Sequence, residues 1–233
     1  MQAGKRDEKQ LTVSPASDTV SSQEVDGMAK DSTETRARLI DAVGRVLAQE
    51  GFEKIGVNSV AREAGVDKVL IYRYFDGLKG LVAAFCSQEG FWPSPLELMG
   101  GDRDAFARMP YAQQLSEGAI NYLRAIRARP LAQEVLAWRF LVQNELTAAF
   151  DSVRMASGVE VVNLMNVPTG EDAVDYQALQ AIVAAAINHL GSRAGKISVF
   201  SGVGLLDDSG WPRIESMIRT IVYAVLAEKE QPA

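Results

Sequence analysis

The chain has 233 residues, 47% hydrophobic and 23% charged, the balance of a soluble globular protein with room for one or two cores. Its net charge of −6 excludes a binder of nucleic acid through bulk positive charge, and its single cysteine, Cys86, excludes an internal disulfide and a cysteine-based zinc site. No apolar run reaches the roughly 18 residues of a membrane span, and the N-terminus has no apolar signal region, so a cytoplasmic protein with no membrane contact is expected.

Residues 1–30 are polar and mixed in charge, with few recurring apolar positions, and are expected to be a disordered tail. Lys5, Arg6 and Lys9 could touch DNA as an arm, but Asp7 and Glu8 sit among them and favour a solvated tail. A helix is predicted from near Asp31, with Glu34 as a capping-box partner and Leu39, Ile40, Val43, Val46 and Leu47 as its apolar stripe. Gly51 ends it and Phe52 folds back onto the core.

Residues 57–75, VNSVAREAGVDKVLIYRYF, carry two short helical patterns across a glycine turn. Val57, Val60, Ala61 and Ala64 fall at i, i+3, i+4, i+7 on one face of the first helix. Gly65 supplies the backbone freedom to stop it, and Asp67 is a good N-cap for the second. Val66, Leu70 and Ile71 can face inward there, which leaves Lys68, Val69 and Arg73 more outward. Two short helices across such a turn make a helix-turn-helix, whose second helix fits a DNA major groove. Residues 33–85 hold 8 basic against 7 acidic groups, so this is the one segment that is not net acidic. A turn, DGLKG, leads to a fourth helix carrying Leu81, Val82 and Phe85.

Residues 36–85 resemble the N-terminal domain of the TetR family of transcriptional regulators. The residues that carry the likeness are Gly51-Phe52, Val57, Val60-Ala61, Ala64-Gly65-Val66, Ile71-Tyr72, Tyr74-Phe75 and Leu81. The resemblance implies DNA-contacting roles for Asn58, Lys68, Val69, Leu70, Tyr72, Arg73, Tyr74 and Lys79. A lysine at position 68 can donate to guanine O6 and N7, and Val69 can pack on a thymine methyl. Tyr72 and Tyr74 match positions that touch phosphate, or serve as core aromatics with a wet hydroxyl. The chain departs from the family at Ile55 and Gly56, where threonine is common, at Val69, where glycine is common, and at Leu78, where a phosphate-facing lysine is common.

The FWPSP stretch from Phe91 marks the expected domain boundary, giving a helix-turn-helix domain over 31–90 and a helical ligand-binding and dimerisation domain over 91–233. Helices are predicted over 110–128, 131–155, 171–191 and 210–229, with a shorter one around 96–108. Residues 157–170 and 192–210 read as non-helical, the second as a loop or short strand. The fold class is therefore all-α. Trp138 and Asn144, read as sharing one helix, are the candidate ligand-pocket residues. The last two helices are the candidate homodimer surface, with Ala178, Ala181, Ala184, Ala185 and Ala186 permitting close approach and Ile182, Ile214, Ile218, Ile221, Val222 and Val225 adding apolar area.

His189, the only histidine, reads as a capping or core residue near a helix C-terminus. VFSGVG over 199–204 lacks the lysine of a phosphate loop. No catalytic cluster, metal site or cofactor is expected. The expected function is a repressor that binds a palindromic operator as a homodimer and is released by a small-molecule effector. An activator or ligand-independent regulator with the same fold is the alternative.

Overall fold

The apolar stripe that begins at Leu39 belongs to a long helix. The structure, a computed structural model that describes residues 22–168, 175–207 and 209–227, carries this helix (α1) over Ser22–Glu50. It begins upstream of the expected start at Asp31. The stretch SQEVDGMAK holds no proline, and a nucleated helix propagates through residues of ordinary propensity. Lys5, Arg6 and Lys9 lie outside the described residues. The chain divides into a unit of residues 1–35, whose described part is the leading stretch of α1, and a unit from Arg36 to Ala233 that holds the other elements.

Gly51, at φ 84°, ends α1, and a short 3₁₀ turn, Phe52–Lys54, buries Phe52. Three short helices follow: α2 (Val57–Ala64), α3 (Val69–Phe75) and α4 (Leu78–Cys86). Their inward residues Val60, Ala64, Ile71, Leu81 and Phe85 join Leu39 and Val43 of α1 in one apolar cluster. The same cluster runs on through Phe91 and Trp92 to Leu136 and Phe150. Phe52 stacks on Trp138 with ring centroids 5.7 Å apart, and Phe91 lies 4.7 Å from Phe85.

Among the described residues, the remaining regular elements are helices apart from one hairpin. The expected short helix near 96–108 is two pieces, α5 (Pro95–Leu98) and α6 (Arg103–Ala107), N-capped by the side chains of Ser94 and Asp102. Next comes α7 (Tyr111–Arg127). The single helix expected over 131–155 is two, α8 (Pro130–Arg139) and α9 (Glu145–Val162). The break falls at Asn144, whose side chain accepts the N–H groups of Leu146 and Thr147 while the Thr147 hydroxyl accepts the Asn144 N–H. This reciprocal cap starts a new helix where hydrophobic periodicity alone continues the old one. Because α9 runs to Val162, the first part of the 157–170 stretch is helical, contrary to expectation.

Two long helices, α10 (Tyr176–Gly191) and α11 (Trp211–Ala227), pack on α7 around Leu115, Leu123, Ile187, Trp211 and Val222. Between them β1 (Val199–Phe200) pairs antiparallel with β2 (Val203–Gly204), the short strand that the 192–210 stretch allowed. Ion pairs tie α7 to α11. Arg124 grips the buried carboxylate of Glu215 with two nitrogens, and Arg219 does the same to Glu117 at 2.9 and 3.2 Å.

Candidate nucleic-acid interface

The turn between α2 and α3 is built from backbone requirements. Gly65 sits at φ 65° and ψ 39°, a left-handed conformation that costs glycine little, and its N–H closes the end of α2. The Arg38 guanidinium of α1 donates to the carbonyls of Ala64 at 2.7 Å and Gly65 at 3.3 Å, satisfying acceptors that a helix end leaves open. Asp67 caps α3 as expected, its Oδ1 accepting the Val69 N–H at 2.8 Å. The start of α2 lacks the family's threonine, yet a hydroxyl serves there. Ser59 Oγ accepts the Gly56 N–H at 3.0 Å and donates to the Lys54 carbonyl at 2.6 Å.

A second glycine fixes α3 against α4. A Cβ placed on Gly80 would lie 1.8 Å from the Phe75 carbonyl oxygen, so only glycine lets α4 cross the end of α3 at this distance. Between them Asp76 takes a left-handed turn at φ 56° and Gly77 begins α4.

On this frame Asn58, Lys68, Val69, Tyr72, Arg73 and Lys79 are all exposed. Val69 is 61% exposed and Tyr72 58%, large apolar area for a helix that also buries Ile71 completely. The two remaining candidates are placed differently. Leu70 and Tyr74 are half-buried and pack on the core cluster. The Arg36 and Arg73 guanidinium groups lie over the Tyr74 ring at 5.1 Å and 5.7 Å from its centroid, so both cations are held against this ring. Leu78, at the family's lysine position, packs on the core, which leaves Lys79 as the cation at the start of α4. Neighbouring charges of α1 and α2 are paired: Arg45 with Glu63 at 2.5 Å and Arg62 with Glu50 at 3.5 Å. Sequence reasoning passed over Arg36, Arg38 and Ser59, which position the motif. A capping pattern of Ser three residues after Gly56 was the available signal for the last.

Trp138 and Asn144 lie on different helices, and the structure gives each a structural contact. Trp138 packs on Phe52, while Asn144 caps α9 and lines a polar recess of about 440 Å³ with Arg139, Thr147 and Asp151. An apolar cleft of about 200 Å³ lies elsewhere, lined by Leu98, Leu115, Tyr122, Val161, Met165 and Ile187 among others. Tyr122 and Met165 belong to the scattered aromatics and methionines of the sequence, but nothing local distinguishes them from ordinary core. Burial pushes the Tyr122 phenol up from its ordinary pKa, and its hydroxyl donates to Asn188 Oδ1 at 2.7 Å.

On α10, Ala178, Ala181, Ala184, Ala185 and Ala186 are exposed, and Ile182 is 68% exposed. On α11, Ile221, Met217 and Tyr223 are exposed, whereas Ile218 and Val222 are buried within the chain, and Ile214 and Val225 are half-buried. His189 stands in the last turn of α10, its Nδ1 3.0 Å from an Arg193 nitrogen, edge-on to Phe140 and Phe200. Burial, then the Arg193 charge, holds its pKa below the ordinary value. Cys86 is buried in α4, and desolvation pushes its thiol far above the usual range. Among the described residues, no helix is long and apolar enough to cross a membrane.

Residues 39–85 match the model of the bacterial regulatory proteins of the tetR family. Two curated proteins from Mycobacterium tuberculosis strains, each named an uncharacterized HTH-type transcriptional regulator, are 35% identical over 65 residues. That match takes in 28% of this chain and 32% of the relatives, so the chain spans about a third of their length. Among solved structures, the fatty acid degradation regulator FadR from Bacillus halodurans superposes with a TM-score of 0.53 at 13% identity, over 81% of this chain and 94% of that one. A TetR family transcription regulator from Marinobacter aquaeolei has a TM-score of 0.48 at 18% identity, over 86% of this chain and 98% of that one. The FadR likeness speaks to the fold, while the matched stretch coincides with α2, α3, α4 and the part of α1 that supports them. Residues 39–85 of this chain are thus similar to the N-terminal helix-turn-helix segment of the tetR family of bacterial regulatory proteins.

Proposed function

We propose that this protein is a sequence-specific DNA-binding transcriptional regulator, a cytoplasmic homodimeric repressor released from a palindromic operator by a small-molecule ligand. The observation that carries the reading is the outward face of α3. Lys68, Val69, Tyr72 and Arg73 stand exposed on a helix whose approach is fixed by Gly65 and Gly80, with Asn58 and Lys79 beside it. That face combines a donor for guanine, an apolar contact for a thymine methyl and cations and a phenol for phosphate. The local charge is small for a DNA binder, so base and methyl contacts carry more of the affinity than in a strongly basic domain.

The dimer uses the outer faces of α10 and α11, where alanines and Ile182 of one helix and Met217, Ile221 and Tyr223 of the other are exposed. A two-fold dimer presents two copies of α3, so the half-sites lie roughly 34–36 Å apart or a multiple of it. The effector occupies the apolar cleft between α7, α9 and α10. Binding there favours one spacing of the two reading helices, and by linkage operator and effector each weaken the other.

Titration of the purified full chain against its own upstream DNA over a range of salt tests this reading. Tight, sequence-selective binding whose affinity falls steeply with salt is expected. No binding at low salt would overturn it.

A further inference from the structure

Among the described residues, two buried side-chain nitrogens meet no hydrogen-bond acceptor: Trp92 Nε1 and Arg154 Nε. Both residues line one recess of about 130 Å³, which shares Leu98, Tyr122 and Gly158 with the apolar cleft. Trp92 is only 6% exposed, so its N–H has little access to bulk water. An indole N–H and a guanidinium N–H are obligate donors, and a buried donor without an acceptor loses its hydration for nothing. Two such groups beside one cavity mark the place of an acceptor.

Charge points the same way. Asp151 is shared by two arginines, Arg139 at 2.6 Å and Arg154 at 3.3 Å, so this trio keeps one positive charge uncompensated. Arg154 also lies against the Tyr122 phenol at the junction of recess and cleft. The cleft beyond is apolar, with Leu115, Val161, Val183 and Ile187 in its walls.

Building on the cleft proposed above for the effector, we infer that this protein binds an amphipathic monocarboxylate, its carboxylate held by Trp92 Nε1 and the Arg154 guanidinium and its hydrocarbon tail in the apolar cleft. A carboxylate offers two oxygens in one plane, one for each donor, and supplies the missing negative charge. A neutral alcohol or amide can satisfy a donor but leaves the charge uncompensated. A phosphate monoester brings a third oxygen and a second charge to a recess with one spare positive charge.

Calorimetry on the full chain without DNA tests this, using octanoate, octanamide and octyl phosphate as probes. Octanoate is expected to bind at least about tenfold more tightly than octanamide and octyl phosphate, as one charge-assisted hydrogen bond implies. Trp92→Phe and Arg154→Gln, checked for folding by thermal melts, are each expected to weaken octanoate about tenfold and octanamide by less. Equal binding of octanoate and octanamide, a preference for octyl phosphate, octanoate affinity unchanged in both folded variants, or no binding of any probe would overturn the proposal. Since no DNA is present, the outcome is independent of whether the chain recognises an operator.

Discussion

Lys68 and Tyr72 stand exposed on α3, and in the proposed regulator each carries a separable part of DNA recognition. Replacing Lys68 with alanine should cost roughly 1–3 kcal/mol at a cognate site and relax selectivity at one base position, as measured on a panel of single-base operator variants. Uniform weakening over all sequences would make it a phosphate contact instead. Tyr72→Phe removes only a hydroxyl from an exposed ring, so the melting temperature should hold while operator affinity falls. Tyr74 is half-buried beneath Arg36, and its ring supports the domain as well as facing outward. Cys86 belongs to the same scale. With its thiol buried and its ionisation suppressed, it should stay unmodified by a thiol-specific disulfide reagent in the native protein and react only on unfolding. Rapid native-state labelling would contradict its placement. These residue-scale features were the most legible in the sequence. The exposure of Lys68 and the caps at Gly65 and Asp67 follow from residue type and spacing within a few positions.

The elements show where local reading stops. The crossing of α3 and α4 depends on Gly80, and a methyl group there meets the Phe75 carbonyl. Gly80→Ala should destabilise the protein by about 3 kcal/mol in chemical denaturation. Gly158→Ala, in α9 with nothing near its missing Cβ, should stabilise it by about 0.5–1 kcal/mol through helix propensity. The α7–α11 seam offers a third measurement. Arg124→Met leaves the Glu215 carboxylate buried without its partner, and since Arg124 is itself half-exposed a loss of about 2 kcal/mol is expected. The sequence hid the break between α8 and α9 because Phe140–Gln143 contains no glycine or proline, and the apolar rhythm passes through it. The signal was Asn144 followed by Thr147, a capping pair that reads equally well as two polar residues on a longer helix. The early start of α1 was hidden for the converse reason, since no residue near Asp31 forces a boundary.

For the whole molecule, stability on acidification provides a global readout of one group. His189 in the folded chain has a pKa below its ordinary 6.5. The unfolded chain therefore binds a proton more readily, and stability is lost as pH falls through 6.5. The melting temperature should drop modestly between pH 7.5 and 5.5, and the drop should shrink in His189→Gln. The apolar cleft and its two donors were illegible in the sequence for a reason of scale. Leu98, Leu115, Val161 and Ile187 are scattered along the chain, and neither Trp92 nor Arg154 is unusual until its surroundings are known.

The close approach at Gly80 has a mechanical meaning. With the Phe75 carbonyl seated where a side chain would stand, α3 and α4 have no play at their joint and turn as a single crank. At its other end the crank bears on α9 through Phe85, Phe91 and Phe150, rings in edge-on and tilted contact one after another. The same α9 forms one wall of the cleft through Val161 and Val162. In the proposed regulator a displacement of α4 therefore carries α3 with it, and loosening that joint would disconnect the drive while leaving both of its ends intact.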